Sequence, residues 1–191
     1  MATTQVRRGR TLDFTPQITT GDVATVNDAT PQNDLGVIYP TVDASNNQVK
    51  YKYVKMGATV LATGTAGAPV YYTDATRSIV TNTVTEAFSH ATSSFGANGS
   101  FAGLLLNASV TNGYYIWILV EGYFASVTAP ASVVKGDVLV CSNTAASAPT
   151  DNTLVRVAAG VAPVAGAMEP GHIRALGTVS AGLAPGYVFC K

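Results

Sequence analysis

Residues 113–122 read GYYIWILVEG and contain the single tryptophan of the 191-residue chain. In an extended strand, successive side chains point to opposite faces of the sheet. One face of this stretch is uniformly apolar and predicts a core, whereas the other mixes aromatic residues with an acid. The first face consists of Tyr114, Ile116, Ile118 and Val120, and the second of Tyr115, Trp117, Leu119 and Glu121. The pattern predicts a strand that has no plainly polar side.

The second, mixed face has two interpretations. Aromatic residues near a wet rim are typical of protein interfaces. On that interpretation Tyr115, Trp117 and Leu119, with Tyr123 just beyond, form an oligomer contact. A sheet that is buried on both sides explains the same pattern, and the four residues then belong to the core.

The rest of the chain is dominated by short strand-type segments. They are rich in Val, Ile, Thr and Tyr and are separated by Gly, Pro, Asn and Asp. The pair Asn112-Gly113 is a strong hairpin signal, because both residues tolerate the positive φ of a type I′ turn. The best helix candidate, residues 78–90, carries several β-branched residues that disfavour a helix. We therefore predict an all-β fold, a compact β-sandwich or barrel-like domain.

Similar phrases recur along the chain in the same order, which indicates an internal repeat. A Gly-aliphatic phrase leads through a turn into a strand that ends at another glycine, and a strand opened by glycine follows. The Gly-aliphatic phrases are residues 36–39, 103–106 and 160–163, the strand ends are Gly57, Gly122 and Gly177, and the Gly-opened strands are residues 21–28, 67–74, 136–143 and 186–190. We predict irregular strand-hairpin-strand repeats, although chance matches in a chain rich in Ala, Thr, Gly and Val are the alternative.

Residues 1–20 lack this strand pattern and are predicted to be an extended N-terminal arm. The domain proper then covers residues 21–191, with a division into sub-modules 21–100 and 101–191 as an alternative. Arginines can pair with carboxylates on a neighbour, while apolar side chains fill pockets there. The arm residues predicted to bind a partner are Arg7, Arg8, Arg10, Leu12, Phe14 and Ile18.

Composition excludes several classes of function. Eleven basic and eleven acidic residues give a net charge of zero, which argues against binding to nucleic acid or to an anionic membrane. The chain has no apolar run long enough to span a bilayer, and its start, MATTQVRRGR, lacks the apolar core of a signal peptide. Charged residues make up 12%, about half the usual fraction, which suits a protein that functions within an assembly.

Motifs for chemistry are missing from the sequence. His90 lies in a Ser/Gly-rich loop without a nucleophile elbow, and His172 belongs to a Pro-Gly-His turn. Cys141 and Cys190 are too few for a disulfide framework or a zinc site and are interpreted as small buried residues. We predict no catalytic, metal or cofactor site; a cell-wall hydrolase that depends on His90 is the enzyme alternative.

One basic strand, residues 50–55, reads KYKYVK and alternates lysine with tyrosine. Such a strand can stack nucleic-acid bases. The favoured interpretation is a strand with its lysines in water and its tyrosines packed.

The phrase AGLLLNASVTNGYYIWILVEG at residues 102–122, followed by VKGDVLV at 134–140 and AGV at 159–161, resembles small capsid decoration (cement) proteins of tailed bacteriophages. The resemblance covers residues 36–191 and leaves the arm outside. It implies a β-rich, non-enzymatic subunit that binds the outside of the major capsid protein shell, often as a trimer.

The resemblance therefore predicts a virion protein made in the host bacterial cytoplasm and carried on the capsid surface. Its expected partners are the major capsid protein and other copies of itself, and the arm would contact the capsid or a neighbouring subunit. Neither nucleic acid nor membrane is an expected partner. The alternative is another virion component, such as a head fibre base, a tail protein, or a receptor- or glycan-binding module that uses Tyr114, Tyr115 or Tyr123 near Glu121.

Overall fold

The computed structural model describes residues 23, 25–43, 45–57, 66–73, 76–81, 101–140, 154–157 and 173–190. The predicted arm, residues 1–20, lies outside these ranges. The named elements are the strands β1 (Ile38–Val42), β2 (Gln48–Met56), β3 (Pro69–Tyr72), β4 (Ile79–Thr81), β5 (Phe101–Leu105), β6 (Tyr115–Thr128), β7 (Val138–Val140), β8 (Val155–Val157), β9 (Ile173–Ala175) and β10 (Leu183–Phe189). The predicted all-β, barrel-like architecture is confirmed.

The ten strands form one mixed sheet in the order β1-β2-β4-β3-β5-β6-β10-β9-β7-β8. The 14-residue strand β6 pairs with β2 along one edge and with β5 and β10 along the other. Because β2 also pairs with β4, β4 with β3 and β3 with β5, these strands and β6 close a five-membered ring. The β2–β4 pair is parallel, and every other pair is antiparallel.

Side chains from all five ring strands fill the ring. We call this cluster the inner core: Val54, Met56, Ala68, Val70, Tyr72, Val80, Ala102, Leu105, Val110, Ile116, Ile118 and Val120. Its β6 members are the alternate apolar residues of one strand face. That face is therefore a core, as the alternation predicts.

A second cluster packs against the other face of the ring wall and against the strands that continue beyond β10. We call it the outer core: Val23, Val49, Tyr51, Tyr53, Tyr71, Phe101, Leu104, Leu106, Trp117, Leu119, Val127, Ala129, Val133, Leu139, Leu154, Ile173, Ala175, Ala184 and Val188. Trp117 is only 3% exposed within a single subunit. Strand β6 is thus a wall shared by two cores, which explains why neither of its faces is polar.

Aromatic contacts centred on Trp117 join three strands. Its ring centroid lies 5.0 Å from that of Tyr53 on β2 and 6.2 Å from that of Tyr39 on β1. Tyr53 also stacks on Tyr115, and its hydroxyl accepts a 3.0 Å hydrogen bond from the backbone N–H of Gln32. Each such ring pair contributes about 1 kcal/mol beyond its buried area, so the cluster fixes β1 and β2 against β6.

A β-bulge in β6 changes the predicted direction of Glu121. Tyr51 faces Leu119, but the next residue back, Lys50, faces Glu121, so β6 holds one extra residue there. Strict alternation put Glu121 on the face of Trp117, and that prediction is wrong. The extra residue turns Glu121 away from the outer core and onto the face that carries Lys50, because a bulge reverses the alternation beyond it.

The repeat prediction is met in some places and fails in others. Gly67 and Gly136 both have positive φ, 86° and 97°, and both stand just before a strand, as predicted. The described members of the range 21–28 do not form the predicted strand, since Val23 has a helical backbone and Asp28 makes a single bridge, to Tyr115. Gly186 lies within β10 rather than opening a strand. The phrase at 160–163 lies outside the described residues.

Two glycines with similar φ give a matched test of close packing. Gly67 (φ +86°) lies against the backbone carbonyl of Ser126, which a Cβ atom would clash with, whereas Gly113 (φ +75°) has no atom within 4 Å of that position. We expect Gly113→Ala to cost about 1 kcal/mol, from backbone strain alone. Gly67→Ala should cost at least about 2 kcal/mol more, because the backbone must move.

Urea denaturation followed by tryptophan fluorescence measures both variants. Equal losses of unfolding free energy in Gly67→Ala and Gly113→Ala would contradict the packing of residue 67 against β6.

Candidate binding surfaces

The described residues contain no cluster of three or more His, Cys, Asp or Glu side chains that could hold a metal ion. His90, His172 and Cys141 lie outside the described ranges, and so do the six arm residues predicted to bind a partner. Cys190 is half-buried and packs against both cores. Within the same ranges, no helix is long and apolar enough to cross a membrane.

Seven large apolar side chains of the described residues are exposed, and four of them fall between residues 35 and 42. They are Leu35, Val37, Ile38 and Val42, with exposures between 40% and 54%. Together with the exposed Pro40 they define what we call the β1 surface. Large apolar patches on a soluble subunit mark sites of interaction.

Strand geometry explains why these residues reach solvent. Tyr39 and Thr41 lie on the half-buried side of β1, and Tyr39 contacts Trp117. The alternate residues Ile38, Pro40 and Val42 are turned the other way, beside Lys52, Lys50 and Gln48 of β2. Pro40 is the residue from which an edge position for β1 could have been predicted, because proline within a strand indicates an edge strand.

A groove with a volume of about 320 Å³ lies beside β1, β2 and β6. Its lining residues are Pro40, Thr41, Val42, Gln48, Val49, Lys50 and Glu121. Lys50 Nζ and Glu121 Oε2 form an ion pair at 2.6 Å, with both side chains partly exposed. An exposed pair of this kind adds little stability, but it places one charge of each sign on an otherwise largely apolar groove.

Asp43 closes the β1–β2 hairpin at one end of the β1 surface. Its Oδ1 accepts hydrogen bonds from the backbone N–H groups of Ser45 (2.8 Å) and Asn47 (2.9 Å), and its Oδ2 accepts one from Asn47 Nδ2 (2.9 Å). Burial alone would raise the pKa of Asp43, but the bonds from Asn47 and Ser45 together lower it below its ordinary value. The carboxylate is therefore charged at neutral pH.

The lysine-tyrosine strand is largely engaged within the fold. Tyr51 and Tyr53 are buried in the outer core. Lys52 Nζ donates a 2.8 Å hydrogen bond to the hydroxyl of Tyr72 and lies 4.7 Å from the centroid of its ring. The guanidinium of Arg77 lies 5.9 Å from the same centroid. These contacts hold Lys52 against the side chain of Tyr72, whereas the sequence predicted that the lysines lie in water.

Two further groups of apolar side chains lie on the sheet beyond β6. Val134 (42% exposed) and Leu176 (39% exposed) form what we call the turn surface. The segments that carry them run side by side, since Gly136 N–H donates to the Ala175 carbonyl and Val179 N–H donates to the Val133 carbonyl. The other group is an aromatic strip of Tyr123, Tyr187 and Phe189, in which the last two rings lie 4.7 Å apart and Phe189 is opposite Glu121.

Of the four residues predicted for an oligomer contact or core, two are buried and two are half-buried. Trp117 and Leu119 are buried in the outer core of one subunit. Tyr115 is half-buried against Tyr53, and Tyr123 is half-buried opposite Tyr187. An oligomer contact through Tyr115 or Tyr123 stays a prediction.

Comparisons of the chain with models of protein families, with curated proteins and with solved structures found no match.

Stability at alkaline pH should depend on Tyr51, which is buried in the outer core. Burial, with a smaller contribution from the charge of Asp43, raises the pKa of Tyr51 from 10.0 to about 12. Since the folded-state pKa is the higher one, the associated stability is fully present below pH 10 and is lost as the pH rises towards 12. We expect the loss to be about 2 kcal/mol.

Urea denaturation at several values between pH 9 and 12 measures this dependence. Tyr51→Phe should fold and show a shallower loss than wild type, whereas the control Tyr187→Phe should follow wild type. The same slope in wild type and Tyr51→Phe would contradict the assignment.

Proposed function

We propose that the chain is a non-enzymatic structural protein of a bacteriophage virion, which binds the outer surface of the major capsid protein shell as a homo-oligomer, with a trimer favoured. The observation that carries the proposal is the distribution of exposed apolar side chains over separate surfaces of the β-sheet. A decoration subunit needs such a distribution, because it must contact the shell with one surface and its neighbours with another.

The resemblance to decoration proteins supports the proposal from the sequence side. Its longest phrase, residues 102–122, contains most of β5, the turn at Asn112-Gly113 and the buried part of β6. Its second phrase, residues 134–140, contains part of the turn surface and β7. The residues that carry the resemblance therefore build the central wall of the fold and one of its candidate contact surfaces.

We assign the turn surface to the shell. Backbone hydrogen bonds on both sides of Val134 hold this turn, and Asp137 Oδ2 accepts a further bond from the Val134 N–H at 2.8 Å. A surface that is already ordered loses little conformational entropy on binding. An oligomer that presents several such surfaces binds with avidity, because each contact after the first is intramolecular.

A receptor- or glycan-binding module is the second candidate function. The aromatic strip favours it, since Phe189 lies opposite Glu121 on the neighbouring strand and contacts the ring of Tyr187, and sugars bind to aromatic faces next to polar groups. Phe189 is 48% exposed.

The proposal predicts saturable binding of the purified protein to bare capsids of the phage that encodes it. Leu176→Asp and Val134→Asp should each weaken binding by about tenfold or more, roughly 1.4 kcal/mol, because a charge would be buried at an apolar contact. Co-sedimentation at a range of protein concentrations measures the apparent Kd.

Ala108→Asp is the matched control, since Ala108 is exposed in the connection between β5 and β6. It should bind as wild type does. A failure of the wild-type protein to saturate capsids would contradict the proposal, and binding to a glycan array with loss in Phe189→Ala would then favour the second candidate. If Ala108→Asp weakened capsid binding as much as Leu176→Asp and Val134→Asp do, the assignment of the turn surface to the shell would be wrong.

A further inference from the structure

The outward edge of β1 has the form of a site for an added strand. The Val37 carbonyl accepts a hydrogen bond from Tyr53 N–H, and Asp43 N–H donates to the Asn47 carbonyl, so the odd-numbered residues face β2. Ile38 and Val42 consequently direct both their N–H and C=O groups away from β2, and Pro40, which has no N–H, directs its carbonyl the same way. Among the described residues, β1 is the terminal strand of the sheet and pairs with β2 alone.

The groove beside this edge is large enough for an aromatic side chain. A cavity of about 150 Å³ accommodates benzene, and the groove measures about 320 Å³. The exposed side chains of Pro40 and Val42 supply its apolar part. A phenyl ring is therefore the kind of group that it fits.

Acidic residues flank the same edge. Asp34 precedes β1 and Asp43 follows it directly. Three hydrogen bonds reach the ionised carboxylate of Asp43, whereas a carboxylate offers about four acceptor positions. Lys50 is engaged with Glu121. The end of β1 can therefore accept a cationic donor.

One segment of this chain has the complementary pattern. Residues 8–18 read RGRTLDFTPQI, in which the even-numbered positions are two arginines, leucine, phenylalanine, proline and isoleucine. In an extended segment these side chains all lie on one face. They have the same two-residue spacing as Ile38, Pro40 and Val42.

We infer that residues 8–18 of one copy bind as an added strand along β1 of a neighbouring copy, with Phe14 in the groove and Arg10 against Asp43. An antiparallel arrangement brings Leu12 beside Val42 and Phe14 beside Pro40. Main-chain hydrogen bonds to the edge would supply affinity, and the groove would supply specificity.

A neighbouring copy is favoured over the same chain because of where the arm joins the domain. Val23 is buried in the outer core with Tyr51 and Tyr53, whereas Pro40, Val42 and Lys50, which line the groove, lie on the other face of the sheet. The five steps from Ile18 to Val23 span at most about 17 Å, and they would have to pass around the edge of the sheet. The inference rests on the proposed function in that it supplies the contact between subunits.

Site-directed cross-linking of the full-length protein, with no capsid present, tests this contact. The variant carries Leu12→Cys and Val42→Cys and is treated with a bismaleimide reagent, which tolerates a small shift in register. We expect covalent species of two or more chains on a denaturing gel. Their yield should be several-fold above that of each single-cysteine variant. The single-cysteine variants measure the background from the native Cys141 and Cys190. Leu12→Cys with Ala108→Cys is the control for random collision.

Each other result overturns part of the inference. Cross-links found only within one chain, detected by mass spectrometry of the monomer band, would overturn the neighbouring-copy assignment. A yield no higher than the control would overturn docking on β1 altogether. Phe14→Ala, added to the reactive pair, should lower the yield several-fold, and an unchanged yield would exclude Phe14 from the groove. Since capsids take no part, the outcome is independent of whether the protein binds a shell.

Discussion

Strand β6 contributes one face to the inner core and the other to the outer core, and the rest of the structure depends on this double burial. Ile116, Ile118 and Val120 pack inside the five-stranded ring, while Trp117 and Leu119 pack outside it. A strand buried on both faces has no room for a polar side chain, since an unpaired polar group there would cost several kcal/mol. The first polar side chain after the apolar run is Glu121, and it follows directly on the bulge that turns it outward.

The same constraint separates the stable interior from the surfaces available for binding. The large apolar residues of β6 and β2 are buried in the two cores. The exposed apolar side chains therefore lie at the periphery of the sheet: on β1 and the residues before it, at Val134 and Leu176, and at the end of β10. These places are rigidly positioned by the sheet but carry little of its packing. A virion protein that contacts both a shell and its neighbours through such places would need no reactive group.

Several of these features could be predicted from the sequence because they are local. The β-class and the burial of Ile116 and Ile118 follow from alternation. A turn does form at Asn112-Gly113, but only Gly113 has positive φ there, so the predicted type I′ hairpin turn is wrong. Whether Trp117 was core or interface could not be decided, because a buried face and an interface have similar composition. The parallel β2–β4 pairing that closes the ring, and the bulge before Glu121, depend on contacts between distant segments that no local pattern specifies.

The central claim is that β6 couples the two cores into one cooperative unit, and native-state hydrogen exchange of Ile118→Val tests it most directly. Ile118 contacts the inner core, and the substitution should cost about 1 kcal/mol. If β6 is a shared wall, the opening free energies should fall equally for inner-core amides, such as Val70 and Leu105, and for outer-core amides, such as Leu139 and Ile173. A loss confined to the inner-core amides would contradict the account.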